Sequence, residues 1–300
     1  MNFPKSIFAL CAILFTSIAG SAASAANLFV VESGTNSVRA LSATGANLGT
    51  YASGGLDFPT GIAFDASGRA YVGSYSNSGV FRYGPGGTSL GVFASSGLDN
   101  PLGVAFDATG NLYVANYSGQ TIRRFSPTGA DLGDFATTGL DNPAGITFDT
   151  AGNLYVANVG NDTIRRFSPT GADLGAFATT GMNNPIGLEF DSAGNLYAAN
   201  SGGNTVRRFS PTGTDLGDFA TVASGAGPSG LAFDDIGNLY VSNALSGNIR
   251  RFSVTGTDLG DFATGLSFPY LMEFSTVPEP ASLSLLGAAV LGLLRRVRRS

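Results

Sequence analysis

Two glutamates stand where a repeated phrase otherwise holds small residues. The phrase occurs as PTGIAF, PLGVAF, PAGITF, PIGLEF, PSGLAF and PYLMEF, and its fifth position reads Ala63, Ala105, Thr147, Glu189, Ala232 and Glu273. A carboxylate in an apolar strand is costly to bury unless it is paired or liganded. Glu189 and Glu273 are therefore candidate ligands for a divalent cation, calcium included, with an Arg partner or an exposed strand end as the structural alternative.

A second candidate surface is polar and uncharged. Asn116, Asn158, Asn200 and Asn243 close a second repeated phrase, NLYVAN and its variants, and Asn100, Asn142 and Asn184 precede the first phrase, with Tyr75 and Tyr117 nearby. Amides and phenols at such turns can bind sugar hydroxyls, although Asn is also favoured in turns for its backbone conformation alone.

The other repeated charges read as structural. The pairs Arg123-Arg124, Arg165-Arg166, Arg207-Arg208 and Arg250-Arg251 recur beside Asp131, Asp134, Asp215 and Asp218, which are available as ion-pair partners. Asp107, Asp149, Asp191 and Asp234 open DxxGN turns that an Asp side chain caps. Those turns lack the dense carboxylate spacing of a calcium loop.

Several chemistries are excluded. The chain has no His, and its single cysteine, Cys11, lies in an apolar run near the N-terminus, so Ser-His and His-metal sites are absent and no disulfide is expected. Between residues 27 and 276 stand all of the 21 acidic residues except Glu279, against 11 Arg and no Lys. That acidic balance argues against nucleic acid, whose affinity comes from cations on phosphates.

The elements that carry these residues follow from the period. The NLYV phrase begins at Asn27, Arg69, Asn111, Asn153, Asn195 and Asn238, a spacing of 42 residues four times and then 43. Within one unit, PAGITFD, NLYVAN, TIRRF and DLGAFATT read as four antiparallel strands separated by turns rich in Gly, Asn, Asp and Pro. Apolar residues fall on both faces, so one sheet must be covered by sheets before and after it, and a closed ring covers them all. The two phrases each occur six times but out of step. The first NLYV phrase has no inner strand before it, and LSFPYLMEF has no second strand after it. The fold class expected is all-β, a six-bladed β-propeller of four-stranded antiparallel blades. Its ring closes by N-terminal strands plus a C-terminal strand, with residues 266 to 274 completing the blade begun by 27 to 56.

The two ends differ in kind. Residues 1–26 join Lys5, the run IFALCAILFTSIAG and the small residues SAASAA, the pattern of a signal peptide. Residues 277–300 hold Pro278, Glu279 and Pro280, an apolar stretch from Ala281 to Leu294, and the membrane-stop cluster Arg295, Arg296, Arg298 and Arg299. The apolar stretch predicts a short hydrophobic transmembrane helix, with the arginines held on the cytoplasmic side.

Two resemblances attach to these residues. The C-terminal segment resembles the PEP-CTERM sorting signal, which implies export through the inner membrane and processing by an exosortase near the motif. Delivery to the cell surface or extracellular matrix follows, with transient or retained membrane anchoring. The unit PxGIAFDxxGNLYVANxxxxTIRRFSPTG over 27–276 resembles the NHL repeat and, more broadly, six-bladed propellers that include gluconolactonase-like and virginiamycin-lyase-like proteins. Lyase chemistry of that kind needs histidine, which this chain lacks.

The reading that follows is an exported, surface-sorted, noncatalytic propeller, a monomer that binds a matrix polysaccharide or surface protein. The alternative is a divalent-metal-dependent hydrolase of lactonase type with Glu189 and Glu273 in the channel. Replacing Pro278, Glu279 and Pro280 with alanine is expected to leave the tail attached. The mass of the exported chain checks this, and unaltered processing would count against the sorting assignment.

Overall fold

The computed structural model describes residues 26–275. The expected leader up to residue 25, the sorting motif Pro278-Glu279-Pro280, the C-terminal hydrophobic helix and the arginine cluster lie outside the described residues. Among those described, twenty-four strands form six four-stranded sheets, with one short 3-10 turn at Ser33–Thr35. No helix among them is long and apolar enough to cross a membrane.

Blade 4 shows the unit. Its inner strand Pro143–Phe148, second strand Leu154–Asn158, third strand Thr163–Phe167 and outer strand Asp173–Ala178 lie in that order. Neighbours pair antiparallel, with Val156 opposite both Ile146 and Arg165. The strand-forming runs are rich in Val, Ile, Tyr, Phe and Thr, which suit a pleated surface, and turns such as Asp149–Gly152 reverse the chain between them.

Each blade buries both faces. Tyr155 on the second strand of blade 4 packs edge-on against Phe177 of its own outer strand, at 4.9 Å, and against Phe190 of the next inner strand, at 5.0 Å. The same wedge recurs at Tyr113, Tyr197 and Tyr240. Each wedge tyrosine is almost wholly buried, and its hydroxyl donates to the turn aspartate of its own blade, as Tyr155 does to Asp149 at 3.2 Å. Such aromatic pairs contribute about 0.5–1.5 kcal/mol each beyond the area they bury.

Near the axis the blades meet backbone to backbone. A Cβ placed on Gly103, Gly145 or Gly187 would overlap the carbonyl oxygen of Ala144, Ile186 or Ser229 on the neighbouring inner strand. This is why the third position of the inner phrase is glycine in five of its six copies.

The outer strands are exposed edges, and each is bent. In blade 4 the pairing of Phe167 with Asp173 and of Arg165 with Ala176 skips a residue around Gly175, whose φ is +91°. A bulge of this kind spoils the flat edge that another sheet would need for pairing.

Closure occurs where the two phrases fall out of step. Pro269–Ser275 forms the inner strand of blade 1 and pairs antiparallel with Asn27–Glu32, whose blade is completed by Ser37–Leu41 and Asn47–Ala52. Glu32 latches the joint. It is fully buried, accepts from Arg39 Nε at 2.6 Å and from the backbone N–H of Ser267 at 2.8 Å, and stands where later copies have Asn or Ser. A chain ending at Thr264 is expected to lose on the order of 5 kcal/mol or more through the uncovered faces of two blades. For a domain of this size that is about 10–20 °C in Tm. Thermal unfolding by circular dichroism reads it, and an unchanged Tm would contradict closure by the C-terminal strand.

Candidate functional site

The six inner strands run in the same direction along the axis, so equivalent positions form rings around a channel. Second positions lie at one end, beside the loops that enter the inner strands, and fifth positions lie about 10 Å further along. A cavity opens at each end, which we call the upper and lower mouths.

The lower mouth holds about 320 Å³ and is lined by Ala63, Ala105, Thr147, Glu189 and Glu273 among apolar side chains including Phe64, Leu188 and Met272. The structure thus brings the two glutamates into one cavity. Both side chains reach the lumen yet are surrounded by the ring. Burial pushes the Glu189 carboxyl up to about 8. Burial does the same to Glu273, to about 8, with the Glu189 charge adding to the rise and a hydrogen bond from the Phe64 backbone N–H opposing it. Both carboxyls are thus held above the usual carboxylate range. No group of three His, Cys, Asp or Glu residues suited to a metal occurs among the described residues. Two carboxylates and the Thr147 hydroxyl in an apolar wall fall short of the six or more oxygens that calcium takes, and no Asn or Asp joins them. The residues present do not fit the metal of a lactonase-type site.

The upper mouth also holds about 320 Å³ but is built differently. Its lining includes Phe58, Tyr75, Tyr117, Phe268 and Tyr270 around an apolar floor with Leu102 and Ile186, and no charged side chain lines it. The rings form a contiguous crescent. Centroid distances are 5.9 Å for Phe58–Tyr75, 5.9 Å for Phe58–Phe268, 6.1 Å for Tyr75–Tyr117 and 6.3 Å for the stacked pair Phe268–Tyr270.

The expected asparagine face requires a correction. Asn116, Asn158, Asn200 and Asn243 are buried, at 2% exposure or less. Asn116 accepts from Asp99 N–H at 3.3 Å and donates to Gly97 O at 2.8 Å and Thr121 Oγ1 at 3.0 Å, tying the loop before the inner strand to the end of the second strand. Asn158 and Asn200 do the same in blades 4 and 5, and Asn243 donates to Asn248. These four amides are taken up by bonds inside the turns, whereas Tyr75, Tyr117 and Asn184 line the mouth.

Phe58, Phe268 and Tyr270 were not singled out by sequence reasoning, yet a signal existed. Phe58 and Phe268 occupy a column that otherwise reads Asn100, Asn142, Asn184 and Gly227. All six residues have positive φ, at +48° for Phe58 and +51° for Phe268. Asn and Gly adopt that conformation readily, while a bulky residue there costs about 1–3 kcal/mol. Such strain persists only where the surroundings enforce it, and it clusters at functional sites.

The repeated arginines that lead each pair are held by outer-strand aspartates. Arg123 pairs with Asp131 at 2.6 Å and with Asp134 at 2.8 Å, Arg165 with Asp173, Arg207 with Asp215 and Asp218, and Arg250 with Asp258 and Asp261. Their neighbours Arg124, Arg166 and Arg208 lie over the faces of Phe135, Phe177 and Phe219. Asp107 caps its turn through Thr109 N and Asn111 N, both at 2.9 Å, as expected for the DxxGN phrase.

Comparison with known proteins agrees with this architecture. Residues 47–82 match a family described as Beta-propeller repeat, and residues 276–299 match the PEP-CTERM protein-sorting motif. No curated protein matches the chain. Among solved structures, a chain of the Nidogen/Laminin complex aligns with a TM-score of 0.74 at 19% identity, over 83% of this chain and 98% of its own. A protein of unknown function from Bacteroides caccae aligns with a TM-score of 0.67 at 16% identity, over 84% and 99%. Virginiamycin B lyase from Staphylococcus aureus with Quinupristin gives 0.60 at 15% identity, over 71% and 73%. At these identities the likeness is one of fold. The chain is a six-bladed β-propeller followed by a PEP-CTERM sorting motif.

The glutamate pair has a measurable consequence. A carboxylate raised above its unfolded value gives stability that is complete below about 4.5 and lost as pH rises to about 8. The aspartates held low, such as Asp65 and Asp131 at about 2, act only in acid and do not overlap this window. Glu189→Gln with Glu273→Gln is expected to flatten the decline between pH 5 and 9 and to add about 1–3 kcal/mol at the alkaline end. Denaturant unfolding at a series of pH values checks it, and equal slopes in both proteins would contradict a raised, half-buried pair.

Proposed function

We propose that this protein is an exported, surface-sorted propeller that binds an extracellular partner through its upper mouth and performs no catalysis. The observation that carries the reading is the placement of the chain ends. Asn27 and Ser275 pair side by side at the lower end of blade 1, and the sorting motif begins at residue 276. A surface reached through the C-terminus therefore lies on the lower side, and the aromatic mouth faces away from it. We read residues 1–26 as the export signal removed before this stage and 277–300 as the segment an exosortase processes.

The composition of the mouth favours binding over chemistry. It contains aromatic rings, hydroxyls, aliphatic side chains and the Asn184 amide, with no carboxylate or cation to act on a substrate. The near-identical blades supply a rigid frame, and the crescent is confined to the arc of blades 1 to 3. A matrix polysaccharide or a surface protein is the class of partner that such a face meets outside the cell.

Phe58→Asn with Phe268→Asn restores the residue of the other copies at two strained positions. The double variant is expected to fold with equal or greater stability, by up to about 1–2 kcal/mol. It should also lose at least about tenfold of its cosedimentation with the isolated surface fraction of the producing cells, because two anchor rings are gone. Wild-type binding that survives both substitutions would refute the role of the mouth.

A further inference from the structure

We propose that the upper mouth is a site for an uncharged sugar ring, a pyranose unit of a neutral extracellular polysaccharide. The inference rests on the reading of this face as the binding face and names what it binds.

The first observation concerns hydroxyls. Of the ten tyrosines in the chain, seven donate their hydroxyl to a protein acceptor: Tyr51, Tyr71, Tyr83, Tyr113, Tyr155, Tyr197 and Tyr240. The three others, Tyr75, Tyr117 and Tyr270, all line the upper mouth, and none has a hydroxyl partner among the described residues. They converge there. Burial raises the Tyr270 phenol, and the nearby Tyr117 and Tyr75 raise it further, while Tyr117 is raised by burial, then by Tyr75 and by the charge of Asp141, which lies outside the lining. Three hydroxyls around one cavity can each both donate and accept, which matches the mixed donors and acceptors on a sugar's rim.

The second observation concerns faces and charge. A pyranose has an apolar C–H face beside its hydroxyls, and the crescent from Tyr117 through Phe268 offers ring surface for that face. The cavity of about 320 Å³ lies at the small end of the range for ligand sites and suits one or two sugar units. No arginine or lysine lines it, and the domain around it is acidic, so an anionic polymer gains no ion pair and meets repulsion. The absence of lining carboxylates likewise gives a cationic ligand no partner.

The third observation is the strain at Phe58 and Phe268, noted above. Both rings are held at the rim, with Phe58 still 38% exposed, although Asn would relieve the backbone in each place. A solvent-facing ring kept at a conformational cost is explained by a ligand that stacks on it.

The test uses the processed protein in affinity electrophoresis. The gels contain a neutral polysaccharide (dextran, galactomannan or xyloglucan), the acidic polymer polygalacturonate, or no polymer. Retardation by at least one neutral polymer is expected. It should persist at high salt, weaken about tenfold in Tyr75→Phe with Tyr117→Phe, and vanish in Tyr270→Ala. The Tyr→Phe variant keeps every ring, so its loss isolates the hydroxyls from folding. Retardation by none of the neutral polymers, by polygalacturonate alone, or equally in wild type and variants overturns the assignment. If the surface fraction still binds through Phe58 and Phe268 while all neutral polymers fail, the face stands and the sugar falls.

Discussion

Each blade is a sheet with two apolar faces, and no sheet in this protein can satisfy both faces alone. The interaction that resolves this is the wedge of a second-strand tyrosine between its own outer phenylalanine and the inner phenylalanine of the next blade, as at Tyr155 between Phe177 and Phe190. The wedge fixes more than spacing. Because its hydroxyl is anchored on the turn aspartate of the same blade, the ring's tilt is tied to the turn that joins the first and second strands. Packing between blades and turn geometry within a blade are thus one constraint, which explains why DxxGN and NLYV recur together.

A chain of such units gains from every neighbour but leaves two bare faces unless it closes. Sharing blade 1 between the two ends removes both faces at once. The joint is also where the repeat had to change. Glu32 replaces the Asn or Ser of the later copies because here the entering loop comes from residues far along the chain. A carboxylate held by Arg39 and the Ser267 N–H makes a stronger clasp than an amide would.

Most of this was legible in the sequence because period and punctuation are local. The strand expected in NLYVAN at Asn153 lies at Leu154–Asn158, and the closing segment expected near 266 to 274 contains the strand Pro269–Ser275. The placement of Glu189 and Glu273 in one cavity also followed from the register of the inner strands. The asparagine face did not follow. An amide at a turn can point to solvent or fold back on its own loop, and the choice depends on where the loop from the outer strand crosses, a non-local fact. The aromatic crescent was missed for another reason. Comparing columns for charge finds Glu189 and Glu273 but passes over Phe58 and Phe268, whose oddity is conformational and appears only once the column is known to sit at positive φ.

The division of labour along the axis follows from that last point. Repeated residues carry the scaffold, so a departure from the repeat is tolerated only where it does not disturb the wedge or the glycine contacts between inner strands. The two mouths are such places. At the lower mouth the departures are carboxylates without sufficient ligands for calcium, and their burial works against the fold as pH rises. At the upper mouth the departures are rings and hydroxyls that face outward, and two of them hold the backbone in a conformation that Asn or Gly would adopt more cheaply. A cost at the lower end can persist simply because the ring is stable enough to bear it. The upper mouth differs in kind, because strain, ring surface and unpartnered hydroxyls coincide on one arc of the face that points away from the C-terminus.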